Sequence, residues 1–392
     1  MVLAALAMVA TLPGRTVGLG LITEPLLNDL QVTRTYYATL TFWATIIGAS
    51  FSLACGPAID RWGVRIVLPA VLLLVGVTTA WMGTSVTAGS LLVFLILSRG
   101  FGQSSLSTAS VTAVGKWFSS GLGIALGLFS ALVAFGFAAA IPILGGAITQ
   151  ENWRSRWVAL GMVIAAFGFV TLATLPKSAA AGGHQPDEEE MPSTPWRTAM
   201  TTKAFWLFTL STALYYLVLS GLTLFNEAVI AELGFDRNIF IAAMAAMMGA
   251  GLIGNFLYGW LASRVAIPRL LSFNLALLAI VLLSFPWLTS PTRVILHAAL
   301  YGIVGGAFAV LFFTGYGHAF GQRHLGKIQG TAQVLGVVAS ALGPSLLANT
   351  EASTGSFLPA FRWLGPIAVL FAVTAWFTVM PRPTAADLPD SQ

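Results

Sequence analysis

Two arginine side chains lie inside long apolar stretches, where an unpaired charge is costly. Arg99 comes ten residues after Gly89, which places it about 15 Å along a helix that begins there. Arg15 follows Pro13-Gly14, a pair that favours a break in a helix. A guanidinium in hydrocarbon costs at least about 2.5 kcal/mol, and it can hold a carboxylate through two parallel hydrogen bonds. We predict that both arginines bind an organic anion. The alternatives are a structural Arg99 bonded to helix carbonyls and an Arg15 that extends to the polar surface.

Three other ionisable residues lie within apolar stretches and could exchange a proton. Glu24 and Glu227 each lie about 7 Å before the end of an apolar run, counting to Asp29 and Glu232. A carboxyl group at such a depth can hold a proton, or it can brace the ends of neighbouring helices as part of an outer gate. We prefer the bracing role. His297 could also relay protons, but a lone histidine is more often a packing residue.

Tyrosine and amide side chains could complete a site for the organic part of an anion. Tyr215 and Tyr216 are adjacent in the seventh apolar run, Tyr301 lies in the tenth and Gln333 in the eleventh. A tyrosine offers a hydroxyl to a carboxylate and a ring to an apolar group, although aromatic residues in such runs usually serve packing. We predict that these four residues contact the ligand.

The motifs of the common catalytic sites are missing from the sequence. It has no H-E-x-x-H pair, no serine nucleophile elbow and no G-x-x-x-x-G-K-S/T nucleotide loop. One cysteine, Cys55, and four scattered histidines suggest no metal site. The net charge of +5 comes from basic residues spread over short loops, which is not the pattern of a nucleic-acid-binding protein. We expect no enzyme activity, catalytic residue, metal, cofactor or nucleic-acid partner.

The composition places these residues in membrane-spanning helices. Of the 392 residues, 57% are hydrophobic and 8% are charged, too few charges to cover a soluble surface. Apolar runs of about 20 residues recur, and each can cross the roughly 30 Å hydrocarbon core of a bilayer as a helix. The sequence therefore predicts an all-α membrane protein with twelve transmembrane helices. They are expected at 2–27, 37–58, 64–84, 89–113, 121–148, 154–176, 204–231, 238–262, 268–288, 292–316, 327–349 and 358–380.

The loops between these helices carry an asymmetry of basic residues. With both chain ends in the cytoplasm, the inside loops hold Arg61, Arg65, Lys116, Lys177, Arg197, Lys203, Arg264, Arg269, Arg323, Lys327 and Arg382. The outside loops hold Arg34, Arg154, Arg156, Arg237, Arg293 and Arg362. The excess inside predicts an N-in, C-in orientation by the positive-inside rule.

One long polar stretch divides the predicted helices into two groups of six. Residues 177–203 contain prolines and the acidic run Asp187–Glu190, a composition typical of a solvated linker, with a short amphipathic piece around Trp196. The predicted organisation is an N-terminal six-helix bundle at 1–176, a cytoplasmic linker at 177–203, a C-terminal six-helix bundle at 204–382 and a cytoplasmic tail at 383–392.

A constant spacing of 203 residues relates the two groups of helices. The matching pairs are Glu24 and Glu227, Arg34 and Arg237, Gly56 and Gly259, Arg61 and Arg264, Gly102 and Gly305, and Leu122-Gly123 and Leu325-Gly326. One gap-free register over more than 100 residues argues for duplication of a six-helix unit, giving two pseudo-symmetric bundles. Repeats of this kind favour a ligand site near the membrane midplane and alternating access to it.

A loop motif between the second and third predicted helices carries a family resemblance. The segment from Gly56 to Arg65 has the spacing G-x-x-x-D-R-x-G-x-R and resembles the signature of the major facilitator superfamily. The second-half copy has Ser263 where the acid would be. The resemblance implies a cytoplasmic gate in which Asp60 pairs with a basic neighbour or caps a helix. The implied gate residues are Gly56, Asp60, Arg61, Gly63, Arg65 and Arg264.

Two further segments narrow the resemblance within the superfamily. Phe320 to Gly330 and Thr23 to Leu27 are similar to bacterial members related to monocarboxylate and oxalate/formate carriers, although 238–262 lacks the basic residue typical of helix 8 in those carriers. We expect a monomeric, multi-pass secondary transporter of a small organic anion in the cytoplasmic membrane, with proton symport as an option. The alternatives are an exporter of a hydrophobic or drug-like compound and a non-transporting sensor on the same fold.

Overall fold

The computed structural model describes residues 1–118, 122–175, 194–321 and 324–381, and all regular structure in these ranges is helical. The α-helices are α1 (Val2–Val9), α2 (Thr16–Gly20), α3 (Thr23–Leu30), α4 (Arg34–Ala49), α5 (Phe51–Trp62), α6 (Val64–Ser85), α7 (Leu91–Leu97), α8 (Ser107–Trp117), α9 (Leu122–Ala147), α10 (Trp153–Thr174), α11 (Trp196–Thr201), α12 (Lys203–Glu232), α13 (Arg237–Ala262), α14 (Ile267–Leu283), α15 (Pro291–Phe320), α16 (Leu325–Thr354) and α17 (Leu358–Phe377). The 3-10 turns Leu12–Gly14 and Phe285–Trp287 and the π-helical segment Ser98–Leu106 complete the regular structure of these ranges.

Within the described ranges, nine helical stretches are long and apolar enough to cross a membrane. Each coincides with one of the twelve predicted spans. The predicted first, fourth and ninth spans are instead interrupted or shorter, because their helices break at Pro13, change to a π-helix at Ser98 and end at Leu283.

The first apolar run is divided into α1, a 3-10 turn, α2 and α3. The break expected beside Pro13-Gly14 is confirmed, since Arg15 has an extended backbone with φ −89° and ψ 151°. Proline lacks the N–H that a continuous helix needs at this point. A second interruption follows at Ile22, with φ −114° and ψ 0°. Arg15 and Thr16 therefore lie at a helix break inside the apolar layer.

The fourth apolar run changes helical type around Arg99. The predicted helix at 89–113 is observed as α7, the π-helical segment and α8, which continues to Trp117. A π-helix has i to i+5 hydrogen bonds and a wider turn, and such segments often occur at functional sites. A Cβ atom on Gly14 would strike the carbonyl oxygen of Ser98, so the 3-10 turn of the first run packs directly against the π-helical segment.

The 203-residue spacing extends to the turns that connect helices. Gln31 and Gly234 are separated by this spacing, and both have a positive φ, 53° and 86°, at the end of a helix. Two residues later, the Thr33 hydroxyl accepts a hydrogen bond from the backbone N–H of Tyr36, and a carboxylate oxygen of Asp236 accepts one from Ile239. The two halves therefore use the same helix-capping scheme to start α4 and α13.

Glycines bring two pairs of long helices into close contact. A Cβ atom on Gly76 of α6 or Gly161 of α10 would overlap with the backbone of the other helix. In the same way, a Cβ atom on Gly302 of α15 would overlap with the backbone of Met247 in α13. Small residues at such interfaces let membrane helices approach closely enough for extensive van der Waals contact.

The backbone contacts divide the chain into two compact units. Of the described residues, the first unit comprises those up to 175 with Ser220–Ala245 and Pro344–Ser353. The second unit comprises 194–219, Ala246–Gly343 and those from Thr354 onward. α12, α13 and α16 therefore each contribute residues to both units.

The predicted linker lies only partly within the described residues. Its short helical piece at Trp196 is confirmed as α11, and the Trp196 indole N–H donates a hydrogen bond to the Thr331 hydroxyl at 2.9 Å. The acidic run Asp187–Glu190, the linker up to residue 193, Arg323 and the tail at 383–392 lie outside the described residues.

Candidate functional site

Arg99 is a fully buried arginine in the π-helical segment of the first unit. Its side chain is 1% exposed. The Nη1 atom donates hydrogen bonds to the Thr16 hydroxyl at 2.8 Å and to the Gln103 side-chain oxygen at 2.6 Å. Both partners are neutral, so no carboxylate of the described residues balances the charge of Arg99 at hydrogen-bonding distance.

The other edge of the Arg99 guanidinium is free. Among the described residues, neither Nε nor Nη2 of Arg99 has a hydrogen-bond partner, although both atoms are buried. These two N–H groups point in the same direction, which is the geometry that receives both oxygens of a carboxylate. A buried charged donor without a partner is costly, so the free edge is suited to an anionic ligand that satisfies it.

Arg15 also lies between the first and fourth apolar runs, but its hydrogen-bond partners differ from those of Arg99. Its Nε atom donates to the Thr11 hydroxyl at 2.6 Å, and its Nη2 atom donates to the Ser107 hydroxyl at 3.0 Å and to the Met8 sulfur at 3.2 Å. The guanidinium also lies 5.3 Å from the centre of the Phe137 ring. Both arginines therefore connect the same two apolar runs. Arg15 belongs to the first run and donates to Ser107 of the fourth, and Arg99 belongs to the fourth run and donates to Thr16 of the first.

The position of Arg99 depends on the absence of a side chain in α4. A Cβ atom on Gly48 would overlap with the Cβ atom of Arg99 and approach the backbone nitrogen of Gly100. In the second half the corresponding Gly251 faces Gly302, the residue 203 positions after Arg99, but a Cβ atom on Gly251 would make only ordinary van der Waals contact, 3.5 Å from the Gly302 carbonyl oxygen. The pairing of the two positions is therefore repeated, but the charge is present only in the first half.

Several polar residues of this region were not predicted from the sequence. Thr16 and Gln103 hold Arg99, and Tyr37 of α4 is fully buried within the electrostatic field of Arg99 and beside Thr23. The Tyr37 hydroxyl makes no hydrogen bond of normal geometry with the described residues. Its only signal in the sequence was an aromatic residue one turn after the start of α4, which resembles ordinary packing.

The symmetric glutamates form ion pairs with the symmetric arginines. The Glu24 carboxylate accepts two hydrogen bonds from Arg34, at 3.1 and 2.8 Å, and Arg34 also donates to Glu351 at 3.3 Å. In the second half, Glu227 pairs with Arg237, which also donates to the carbonyl of Leu21 at 2.9 Å. All of these residues lie in the first unit. Each arginine therefore joins its own repeat to an element of the other repeat.

The predicted tyrosines come together in the second unit. The Tyr215 ring stacks on Phe308 at 4.7 Å and lies 5.7 Å from Tyr216 and 6.0 Å from Tyr301, measured between ring centres. The Tyr215 hydroxyl packs against Gly305. The Tyr301 hydroxyl is buried and has no hydrogen-bond partner among the described residues. The three tyrosines therefore form a compact aromatic cluster, in which the buried Tyr301 hydroxyl could accept or donate a further hydrogen bond.

The remaining predicted site residues lie apart from the tyrosine cluster. Gln333 is exposed on α16, one turn before Gly336, whose surface is covered by the Tyr216 ring. The His297 ring is half-buried, with Nε2 2.9 Å from the carbonyl oxygen of Val281 and with Phe285 in edge contact. This environment is compatible with a packing role, and proton relay by His297 stays a prediction.

The loop motif is formed at the turn between α5 and α6. Asp60 pairs with Lys116 at 3.1 Å, and both side chains are largely exposed. Gly63 has φ 78° and ψ 157°, a conformation accessible essentially to glycine alone, which explains the glycine at this position of the motif.

Two arginines of the predicted gate lie over tryptophan rings. The Arg61 guanidinium lies over the ring of Trp62, and the Arg264 guanidinium lies over the ring of Trp260. Arg65 is half-buried, and a side chain at Gly56 would meet open space.

The chain resembles membrane transporters in both sequence and structure. The Major Facilitator Superfamily profile matches residues 3–344. The chain is 24% identical to Monocarboxylate transporter 13 of Rattus norvegicus over 86% of this chain and 76% of that protein. It is 23% identical to the Hexuronate transporter of Bacillus subtilis (strain 168) over 90% and 88%.

Solved structures of transporters share the fold. A bacterial homolog of the human lysosomal transporter Spinster, in an inward-facing and unoccupied conformation, superimposes with a TM-score of 0.73 at 15% identity, over 95% of this chain and 94% of that one. The nucleoside transporter NupG superimposes with a TM-score of 0.72 at 11% identity, over 95% and 97%. The loop motif, the helical fold and the profile match together show that this chain is a multi-pass membrane protein of the Major Facilitator Superfamily.

Proposed function

We propose that the protein is a secondary active transporter of a small organic anion whose carboxylate binds Arg99. The observation that carries the proposal is the free, fully buried Nε–Nη2 edge of Arg99. A structural arginine would direct these donors to helix carbonyls, and a site for a neutral substrate would have no use for an uncompensated charge. The Arg15 guanidinium adds positive potential to the same region.

The chemistry of the relatives supports an acidic substrate. Monocarboxylate transporter 13, the Hexuronate transporter and the Probable L-galactonate transporter are named for carboxylic acids or their anions, whatever the size of the attached carbon chain. A carboxylate is their common feature, and it is the group that fits the two parallel donors of Arg99. The organic part is assigned to side chains around this anchor, with Tyr37 as a hydroxyl partner.

We further propose that the chain spans the cell membrane twelve times, with both chain ends in the cytoplasm. The protein is proposed to act as a monomer. The basic residues of the loops support the orientation.

The Glu24–Arg34–Glu351 contact and the Glu227–Arg237 pair serve as an outer gate, and the Asp60–Lys116 pair serves as a cytoplasmic latch. Both sets of contacts are formed in this structure, and alternating access would open one set while the other stays closed. Protonation of a gate glutamate would couple transport to a proton gradient.

Uptake by proteoliposomes tests the function. Radiolabelled lactate, glucuronate and galactonate are supplied with and without an inward proton gradient. We expect saturable uptake of at least one acid, and a KM about 10- to 100-fold higher for Arg99→Gln, from the loss of a charged hydrogen-bonded contact. Arg99→Lys keeps the charge but loses the two-donor edge, so it should be intermediate. Arg156→Gln, an exposed arginine of α10, is the control.

The outcomes separate the competing functions. Lack of flux for every acid, together with extrusion of a hydrophobic dye, would replace the anion proposal with an exporter. Saturable binding of an acid without flux would indicate a sensor on the same fold. Equal uptake by wild type and Arg99→Gln would remove Arg99 from the site.

A further inference from the structure

An open groove runs between α14 and α17 in the second unit, and none of its lining residues is a predicted site residue. Its volume is about 730 Å³ and its lining is apolar. α14 contributes residues from Ser272 to Leu283, a rise of about 17 Å, followed by Ser284 and by Trp287 of the 3-10 turn, and α17 contributes residues from Val369 to Phe377. Tryptophans line both ends, Trp376 near Ser272 and Trp287 at the other end. The groove therefore follows α14 from Ser272 to its end and the C-terminal part of α17.

Direct contacts at both ends of the groove fix the position of its two helices relative to each other. The Ser272 hydroxyl donates to the carbonyl of Ala372 at 2.7 Å, and at the opposite end the Phe285 and Phe361 rings stack at 4.2 Å. Between these contacts, small side chains such as Ala276 and Ala279 form the floor. The space is thus a fixed feature of helix packing, and a partner must fill it because unfilled apolar space forfeits van der Waals contact.

A positive charge lies at one end of the groove. Arg269 is exposed in the first turn of α14, three residues before Ser272 and seven before Ala276, so it lies on the same face of the helix. Among the salt bridges of the described residues, none involves Arg269. The N-terminal end of α14 also has the positive pole of the helix dipole. An occupant with an apolar chain and an anionic end matches this arrangement.

We propose that the α14–α17 groove is a phospholipid site, with one acyl chain along the groove and the phosphate at Arg269. A flexible acyl chain can fill a narrow concave channel. A second copy of the chain fits less well, because a concave face paired with itself about a twofold axis leaves a void. Basic residues at the ends of grooves between membrane helices are typical of sites for lipid head groups. The proposal does not depend on which substrate the protein transports.

Native mass spectrometry of the full-length protein tests the site. The protein is purified in mild detergent and titrated with palmitoyl-oleoyl phosphatidylglycerol, and the retained lipid is counted. We expect one tightly held lipid on the wild type. Arg269→Gln should weaken its binding about fivefold, the effect of one basic residue near an anionic head group. Ala276→Phe fills the groove and should abolish retention.

Matched variants and a second measurement make the test decisive. Arg362→Gln removes an exposed arginine at the start of α17, and Ala173→Phe adds a ring on an exposed face of α10; both should retain the lipid. Size-exclusion profiles and thermal unfolding identify any variant that fails to fold, and Arg269→Gln and Ala276→Phe probe the site independently. Unchanged lipid retention in both groove variants would overturn the proposal. Disulfide cross-linking between copies through Ala276→Cys, in a Cys55→Ser background, would instead identify a second copy as the occupant.

Discussion

At the residue scale, two arginines that look alike in the sequence have different environments. Arg15 and Arg99 each lie in an apolar run, and each bonds the first run to the fourth. The Nε and Nη2 atoms of Arg15 donate hydrogen bonds to Thr11, Ser107 and Met8. One edge of Arg99 is tied to neutral partners and the other is free. We therefore propose that Arg99 is the principal ligand contact and that Arg15 has mainly a structural role.

Replacing Gln103 tests whether the charge of Arg99 must remain uncompensated. In Gln103→Glu a carboxylate would lie next to Nη1, where the amide oxygen is now 2.6 Å away. The new ion pair should offset the charge of Arg99 and raise the KM for an anion about tenfold or more, without a loss of thermal stability. Uptake kinetics and thermal unfolding are measured together. Gln103→Met, which removes the acceptor without adding charge, is the control. Unimpaired uptake by Gln103→Glu would contradict an anion-binding Arg99.

Arg15→Gln should affect stability more than substrate recognition. The variant loses hydrogen bonds to Thr11 and Ser107 that hold the broken first run against the fourth. We expect the free energy of unfolding to fall by about 2 kcal/mol, because buried groups lose charged partners. The KM should change less than in Arg99→Gln. Unfolding curves of both variants, with and without saturating substrate, provide the comparison. The reverse pattern would make Arg15 the principal ligand contact.

At the element scale, the proposed site depends on two irregular helical segments that pack against each other. The Pro13-Gly14 break leaves Arg15 and Thr16 at a helix start, and the π-helical segment presents Arg99. The first irregularity has a clear signal in the sequence, since proline cannot continue a helix. The second has none, because the same residues between Leu91 and Trp117 are compatible with a regular α-helix. Close packing against Gly14 and Gly48 accompanies the wider turn.

Gly14→Ala tests this packing. Its Cβ atom would collide with the carbonyl of Ser98, which is backbone and cannot rotate away. We expect a loss of about 1 to 3 kcal/mol in stability together with impaired uptake, as for other overpacked interiors. Gly115→Ala in α8 meets open space and should be neutral or stabilising by up to about 1 kcal/mol. Thermal unfolding distinguishes the two; equal stability of both variants would show that the segments do not meet closely.

At the scale of the whole molecule, the two repeats agree at the helix-connecting turns and differ at the buried charge. Glu24–Arg34 and Glu227–Arg237 are the same ion pair 203 residues apart, and the capping of α4 and α13 is also shared. At the level of Arg99 the second half has Gly302. Duplication thus explains the repeated turns and ion pairs, and divergence explains why the buried charge is present in one half alone.

Arg34→Gln should loosen the proposed outer gate. It removes the bonds to both Glu24 and Glu351, whereas Glu351→Gln removes only one charge partner. Since partly exposed pairs contribute about 1 kcal/mol or less, we expect up to about a fivefold faster reaction of a cysteine at buried Leu26 with an impermeant thiol reagent. The background is Cys55→Ser. Glu351→Gln should have a smaller effect, and no acceleration in Arg34→Gln would contradict the gate.

The sequence by itself determined the helical membrane class, the repeat and the family, because apolar length, periodic charge and a loop motif are local properties. The sequence also identified Arg99, Glu24 and Glu227 as candidate functional residues, because ionisable residues are rare in apolar runs. Only the tertiary structure decided which donors are free and which glutamate faces which arginine. It also brought Thr16 and Tyr37 to Arg99. Hydrogen bonds between distant segments depend on the relative rotation of packed helices, and that rotation is not encoded in any single run of residues.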